Sequence, residues 1–188
     1  DVLIRCMKCG YSANRERAEA APIPREDHAT LQAPKEVLTP DKHTIQEVSN
    51  FLKVQSSQMV KTMIFISNGQ PVAVLLRGDH EVNETKLAKA LGQDAIALAD
   101  HSTIENVTGA RVGFAGPMGL KIKIIADQAV TVLCNFVTGA NKSDTHLLNV
   151  NNERDFKIDR IADIRYVTKG DKCPKCNAEI DISQGIEI

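Results

Sequence analysis

The sequence predicts an α/β protein, with α+β as the alternative: a mixed, largely antiparallel β-sheet or partial barrel with surrounding helices. Three observations predict this class. Short β-rich runs alternate with short amphipathic segments, two of those runs are joined by a tight turn, and the helical segments carry capping residues at both ends. Strands interleaved with helices fold as a sheet with helices on its surface.

The elements follow in chain order. Residues 20–40 hold four of the seven prolines (Pro22, Pro24, Pro34, Pro40) and read as an extended linker, because proline removes a backbone donor and blocks helix. Thr44-Ile45-Gln46-Glu47 is a capping box, and Ile45, Val48, Phe51 and Leu52 follow at helical spacing, predicting a helix to about Lys53. Residues 61–67 and 71–77 are β-rich runs linked through Asn68-Gly69-Gln70, a hairpin pattern. Leu87, Ala88 and Leu91 share one face of a second helix over 83–91, stopped by Gly92. Residues 95–99 form a short apolar strand; Ser102-Thr103-Ile104-Glu105 then opens a third helix, stopped at Gly109. Residues 113–119 contain three glycines and a proline and read as a loop with exposed backbone amides. Residues 122–126, 129–133, 147–150 and 164–167 complete the strand candidates, and 185–188 look like a strand about to continue. With no initiating methionine, the chain reads as an excised piece of a longer one.

At 188 residues the chain is long enough for one well-buried core plus peripheral segments. A formal charge of −1 provides no global attraction for a polyanion, so nucleic acid would have to be gripped locally. Aromatics make up 4% and tryptophan is absent, which argues against a base-stacking platform. No apolar run approaches transmembrane length and no signal-peptide pattern is present. The expected compartment is cytoplasmic, with no membrane partner.

Two cysteine pairs, Cys6-Met7-Lys8-Cys9 and Cys173-Pro174-Lys175-Cys176, stand at opposite ends of the chain. A Cys-x-x-Cys turn aims two sulfurs at one ion, and two turns complete a closed structural zinc site. Their separation far exceeds that of a compact zinc ribbon. Reduced thiols, or thiols that hold metal only in a longer parent, therefore remain open beside the zinc reading. Cys134, in an apolar run, reads as a small core residue.

Common catalytic signatures are absent: there is no Gly-x-Ser-x-Gly, no His-Glu-x-x-His and no complete P-loop. Three features stand out. Polar and charged residues crowd Arg77-Gly78-Asp79-His80-Glu81-Val82-Asn83-Glu84, which a solvated helix start would also explain. The loop from Gly113 to Pro117 offers amides that could cradle an oxyanion or a carbonyl, or is a plain surface loop. Gly139-Ala140-Asn141 precedes His146, a lone histidine that structure alone could require.

The order of these features resembles the editing domain inserted into bacterial-type prolyl-tRNA synthetases, and the smaller free-standing YbaK-like editing proteins. The likeness runs from Lys61-Thr62 through the 77–84 segment with Lys86-Leu87, then Gly113-Phe114-Ala115-Gly116-Pro117, Asp127, Gly139-Ala140-Asn141 and His146. It continues through Asn151, Arg154-Asp155 and Asp163-Ile164-Arg165. Cys9-Gly10-Tyr11-Ser12-Ala13-Asn14 and Gly170-Asp171 with Cys173-Pro174 resemble the synthetase segments that enter and leave the insertion, which a free-standing editor lacks.

The resemblance implies a hydrolase that clears alanine mischarged onto proline tRNA. Alanine is smaller than proline, so a synthetic site cannot exclude it sterically, and a second pocket too small for proline supplies the missing discrimination. Lys61 resembles the lysine required for deacylation. Gly113, Gly116 and Pro117 belong to the loop whose amides would polarise the aminoacyl carbonyl. His146 resembles the histidine that sets pocket size; Asp79, Asp127, Asn83 and Gly139 complete the implied substrate-binding set. Attack is by water, helped by a tRNA ribose hydroxyl, with no nucleophilic Ser or Cys and no cofactor for editing. Residues 1–40 would be a flanking segment and linker, 41–168 the editing body, and 169–188 the return to the catalytic body. Expected partners are the acceptor end of Ala-tRNA(Pro) and the rest of the synthetase in cis, whose full-length form, a homodimer, alone needs ATP and Mg. Editing of another small residue such as cysteine, or a non-catalytic zinc-framed RNA-binding module, are the alternatives.

Overall fold

The hairpin written as KTMIFIS-NGQ-PVAVLLR is the centre of the molecule. In the computed structural model, which describes residues 2–24 and 30–184, β4 (Val60–Ser67) and β5 (Gln70–Arg77) pair antiparallel from Val60–Arg77 to Ser67–Gln70. Asn68 and Gly69 both take positive φ, as a two-residue hairpin turn requires. The strands before them are β1 (Val2–Arg5), β2 (Ser12–Asn14) and β3 (Lys35–Leu38); those after are β6 (Ala97–Leu98), β7 (Lys123–Asp127), β8 (Phe136–Gly139), β9 (Thr145–Val150), β10 (Arg160–Ala162) and β11 (Asp181–Gln184). They form three sheets, ordered β10-β7-β5-β4-β6, β3-β9-β8 and β11-β1-β2. In the first, β7 runs parallel to both β5 and β10, while β4 is antiparallel to β5 and β6. The fold is therefore mixed α/β, and no closed barrel forms among the described residues. The five-stranded and three-stranded sheets adjoin through a parallel bridge between Met59 and Val137.

β5 is apolar at nearly every position because both of its faces are covered. Ala73 and Leu75 pack with Ile64, Ile124, Phe136 and Phe156 on one side; Val72, Val74 and Leu76 pack with Phe65, Leu87, Ile125 and Ile164 on the other. The second cluster seats α2 (Glu84–Leu91), capped by Asn83 and closed by Gly92 in the left-handed conformation. α1 (Ile45–Leu52) has the full capping box of Thr44 and Glu47, and ends on Lys53 at φ 56. Among the described residues no helix is long and apolar enough to cross a membrane.

The structure departs from the sequence reading in several places. α3 (His101–Thr108) is capped by Asp100, which accepts from the Thr103 N–H at 2.7 Å; Ser102 donates to Asp100 instead of capping. Residues 129–133 are not a strand: α4 (Gln128–Thr131) starts there because Asp127 accepts from the Ala129 N–H. A five-residue apolar run has no period to separate buried helix from strand. Residues 164–167 make only a bridge between Val82 and Arg165, since the Ile164 N–H is taken by the Asp127 carboxylate and its carbonyl by Asn83. The strand lies earlier, at β10. Within the proline-rich segment, β3 pairs with β9 from Lys35–Leu148 to Leu38–Thr145, so the linker's end is part of a sheet. Cys134 is half-buried, not a core residue, and the strand expected at 185–188 lies outside the described residues.

Candidate functional site

The seam between β4 and β8 opens into a cavity of about 310 Å³. Lys61, Thr62 and Met63 of β4 form one wall, and Thr138 and Gly139 of β8 with His146 of β9 form another. His43 and Thr44 ahead of α1, Ile45 and Val48 within it, Met59 and Val60, and the loop residues Gly113 and Ala115 also line it. The structure thus brings together Lys61, Gly113, Gly139 and His146, whose positions span the sequence.

Lys61 is half-buried. Burial pushes its pKa below the ordinary lysine value, and the Glu81 and Asp79 carboxylates offset this only in part. Asp79 does not line the cavity; it is held by a bidentate ion pair with Arg77, at 2.6 and 2.9 Å. Burial works against its charge, but the Arg77 bonds with the nearby His80 and Arg77 charges prevail, and its pKa falls below the usual carboxylate value. Asp79 therefore reaches the site through its field on Lys61.

His146 is 4% exposed. Its Nδ1 is 2.7 Å from the Thr39 hydroxyl, and its ring meets Phe114 edge-on at 5.6 Å. Burial lowers its pKa to about 4, so the ring is neutral at pH 7. A neutral, wedged imidazole is suited to shaping a wall.

The glycine loop is held against the end of β8 by Asn141. Its Oδ1 accepts from the Gly116 N–H at 2.8 Å, its Nδ2 donates to the carbonyls of Gly116 and Met118, and its backbone N–H donates to Phe114. A Cβ on Gly116 would overlap the Gly139 carbonyl, and one on Gly139 would overlap the Phe114 and Ala115 carbonyls. These two glycines exist for close backbone approach. In this structure the Gly116 N–H is thus already engaged, and Pro117 has none to offer. Among the described residues, the N–H groups of Gly113 and Ala115 make no hydrogen bond, and both residues line the cavity.

Two further predicted residues lie apart from the cavity. Asp127 is 2% exposed, accepts from the N–H groups of Ala129 and Ile164, and stands 3.6 Å from Arg165 Nε. Burial raises its pKa despite those partners. Asn83 caps α2 and donates to the Glu16 carbonyl at 3.0 Å. Both side chains are consumed by structure, and the geometry gives neither a contact with the cavity.

Sequence reasoning missed Thr39 and Thr138, and quoted Thr62 beside Lys61 without giving it a role. The hydroxyls of Thr62 and Thr138 are buried without a hydrogen-bond partner, and both residues line the cavity. A buried hydroxyl with no partner is uncommon, and these two belong to residues that line the cavity. Beyond the place of Thr62 in the family likeness, nothing in their sequence context marks them, since threonine is an ordinary strand residue.

The four paired cysteines lie remote from this cavity along the chain, with Cys6 and Cys176 sulfurs 3.5 Å apart and those of Cys9 and Cys173 3.6 Å apart. All four ligand atoms lie within 4.8 Å of one another, a set compatible with a structural metal.

Comparison with known proteins gives a consistent picture. The family model described as "Aminoacyl-tRNA editing domain" matches residues 39–156. The proline–tRNA ligase of Geobacter sulfurreducens is 49% identical over 189 residues, covering 100% of this chain and 33% of that protein. The proline–tRNA ligase of Caldicellulosiruptor saccharolyticus is 48% identical over 184 residues, covering 97% of this chain and 32% of that one. The chain thus spans about a third of the length of the curated relatives it matches. Among solved structures, a proposed trans-editing enzyme for prolyl tRNA synthetase superposes with a TM-score of 0.59 at 15% identity, over 71% of this chain and 87% of its own. A crystallised hypothetical protein gives the same TM-score at 22% identity, over 71% and 91%.

Proposed function

Because this chain belongs to the aminoacyl-tRNA editing domain family, we propose that it hydrolyses the ester joining alanine to the 3′ end of proline tRNA. The observation that supports this reading most is the convergence of Lys61, the unbonded Gly113 and Ala115 amides and the neutral His146 on one cavity of about 310 Å³.

Ester hydrolysis needs an oriented carbonyl, donors for the charge that develops on its oxygen, and a water positioned for attack. Lys61 supplies a cation for the phosphate or adenosine of the tRNA terminus and so orients the ester. The Gly113 and Ala115 N–H groups are the donors left for the carbonyl oxygen, where preorganised amides stabilise the tetrahedral intermediate. With no Ser or Cys nucleophile among the described residues that line the cavity, water attacks the carbonyl directly, assisted by a ribose hydroxyl of the tRNA, and the ester C–O bond breaks to release alanine and the tRNA hydroxyl. His146 closes the far wall, admitting alanine and excluding the larger proline ring.

The proline–tRNA ligase relatives suggest the setting: residues 41–168 as the editing body, flanked by segments of a larger synthetase that carries the ATP- and Mg-dependent chemistry and assembles as a homodimer. Cysteine as the amino acid cleared is the second reading, favoured by the same small cavity. The test is deacylation of Ala-, Cys- and Pro-tRNA(Pro) by this chain, repeated in the full-length ligase. Preferential release of alanine is expected, with a loss of about 100-fold in Lys61→Ala. A rate equal to spontaneous hydrolysis in both settings, or an undiminished Lys61→Ala variant, would reject the proposal.

A further inference from the structure

The ends of the chain build a small separate module. β1 pairs with β11 and β2, and the turn between β1 and β2 carries Cys6 and Cys9, while the turn before β11 carries Cys173 and Cys176. The two turns have the same hydrogen bonds. The Gly10 N–H donates to the Cys6 carbonyl at 3.0 Å, and the Asn177 N–H to the Cys173 carbonyl at 2.9 Å. The Cys6 N–H donates to Tyr11 and the Cys173 N–H to Ala178, at 2.8 and 2.7 Å. Gly10 and Asn177 both take left-handed φ, 73° and 58°. In the second turn the first sulfur, that of Cys173, accepts from the Lys175 N–H at 3.4 Å. Amides aimed at a sulfur stabilise a thiolate, the form that ligates metal.

The sulfur positions fit the same purpose. A tetrahedron with arms of about 2.3 Å has edges of roughly 3.8 Å. The Cys6–Cys176 and Cys9–Cys173 separations of 3.5 and 3.6 Å lie near that edge, and no disulfide joins these free thiols. Cys6 and Cys173 are buried, whereas Cys9 is exposed, leaving a route for an ion to enter. Lys8 and Lys175, at the same place in each turn, offset the charge four thiolates would carry.

The module's own buried apolar core is small. Its buried apolar cluster is Ile4, Cys6, Ala18, Val167, Cys173 and Ile180, two of them the cysteines themselves, under strands of 4, 3 and 4 residues. A core of that size does not stabilise a three-stranded sheet without a staple. We infer that Cys6, Cys9, Cys173 and Cys176 bind one zinc ion, making the two ends of this chain a zinc ribbon into whose loop the editing body is inserted. An all-thiolate tetrahedral set takes zinc or iron, and zinc binds such ligands more tightly than ferrous iron. The ion joins residues 164 positions apart, so it fixes where the inserted body departs and returns.

The experiment is metal analysis of the purified chain after exposure to equimolar zinc and iron, then cobalt substitution and amide exchange. One zinc per chain is expected, and cobalt should give the thiolate charge-transfer and visible bands of a tetrahedral all-sulfur site. Cys9→Ser, which alters only an exposed ligand, should weaken zinc retention at least about tenfold, while Cys134→Ser retains the full equivalent. Chelation should accelerate exchange in β1 and β11 about tenfold or more and leave β4 and β5 protected. No bound metal, iron in preference to zinc, unchanged zinc in Cys9→Ser, or unchanged exchange on chelation would each overturn the inference. None of these readouts depends on whether the cavity hydrolyses an ester.

Discussion

Thr39 and His146 meet hydroxyl to Nδ1 at 2.7 Å, although 107 positions separate them in the sequence. The contact exists because β3 pairs with β9 as far as Leu38–Thr145, which delivers the next residue, Thr39, onto the ring. A histidine held by a buried hydroxyl and wedged by Phe114 cannot swing out to admit a larger ligand. His146→Ala should therefore raise hydrolysis of Pro-tRNA(Pro) relative to Ala-tRNA(Pro) by about 10- to 100-fold. Thr39→Val should move the ratio the same way by less. Side-by-side rates on the two charged tRNAs measure this, and an unchanged ratio in His146→Ala would remove the histidine from the size filter.

Gly116 and Gly139 are predicted to tolerate no side chain. The atoms a new Cβ would strike are backbone carbonyls, which cannot rotate away. Either alanine variant should lose on the order of 2–3 kcal/mol of stability, roughly 5–10 °C in Tm, together with deacylation. Thermal denaturation and a rate assay below the transition decide this; a stable, active Gly116→Ala would mean the loop stands off from β8.

Asp127 and Asn83 should behave as structural residues. Asp127→Asn sets an amide donor against the N–H groups of Ala129 and Ile164 and should cost about 1–3 kcal/mol. Its rate on Ala-tRNA(Pro), measured well below the Tm, should match that of the parent chain. A variant with unchanged Tm and a collapsed rate would return Asp127 to the substrate.

Acid should destabilise the fold through its buried histidines. His80 and His146 both have pKa values lowered by burial to about 4, from an ordinary 6.5, with the Arg165 and Arg77 charges adding to the effect at His80. The unfolded chain binds protons first, so stability present above pH 6.5 declines as pH falls through the window and is lost below about 4. Each site contributes on the order of 3 kcal/mol at most. Denaturant midpoints from pH 7 to 4 should fall, and His146→Gln should flatten the slope; an identical slope would assign the acid sensitivity elsewhere.

Much of the fold was legible because its signals are local. The Thr44–Glu47 capping box, Gly92 and Gly109 as helix ends, and the Asn68-Gly69 turn act within a few residues and appear where expected. Other elements depended on distant partners. Residues 129–133 form a helix because Asp127 caps it, and 35–38 a strand because β9 offers an edge. In the site, Lys61 was a candidate only through the order of residues that resembles a known family, since a lysine in a strand carries no intrinsic mark, whereas the Gly113 loop and Gly139 with His146 stood out beforehand, each with an ordinary structural explanation beside it.

The sequence by itself determined the hairpin, the capped helices, the two Cys-x-x-Cys turns and the family order of the site residues. These follow from backbone preferences and side-chain spacing that neighbours in the chain establish. Only the tertiary structure decided which amides of the glycine loop stay free. Asn141 consumes the Gly116 N–H, while among the described residues those of Gly113 and Ala115, which line the cavity, make no hydrogen bond. It likewise separated Asp127 and Asn83 from the cavity, left the hydroxyls of two lining residues, Thr62 and Thr138, buried without a partner, and gathered four sulfurs from opposite ends. The reason is that a hydrogen bond or a ligand set is satisfied by whatever the packed fold brings within about 3–4 Å, and sequence distance does not encode that proximity.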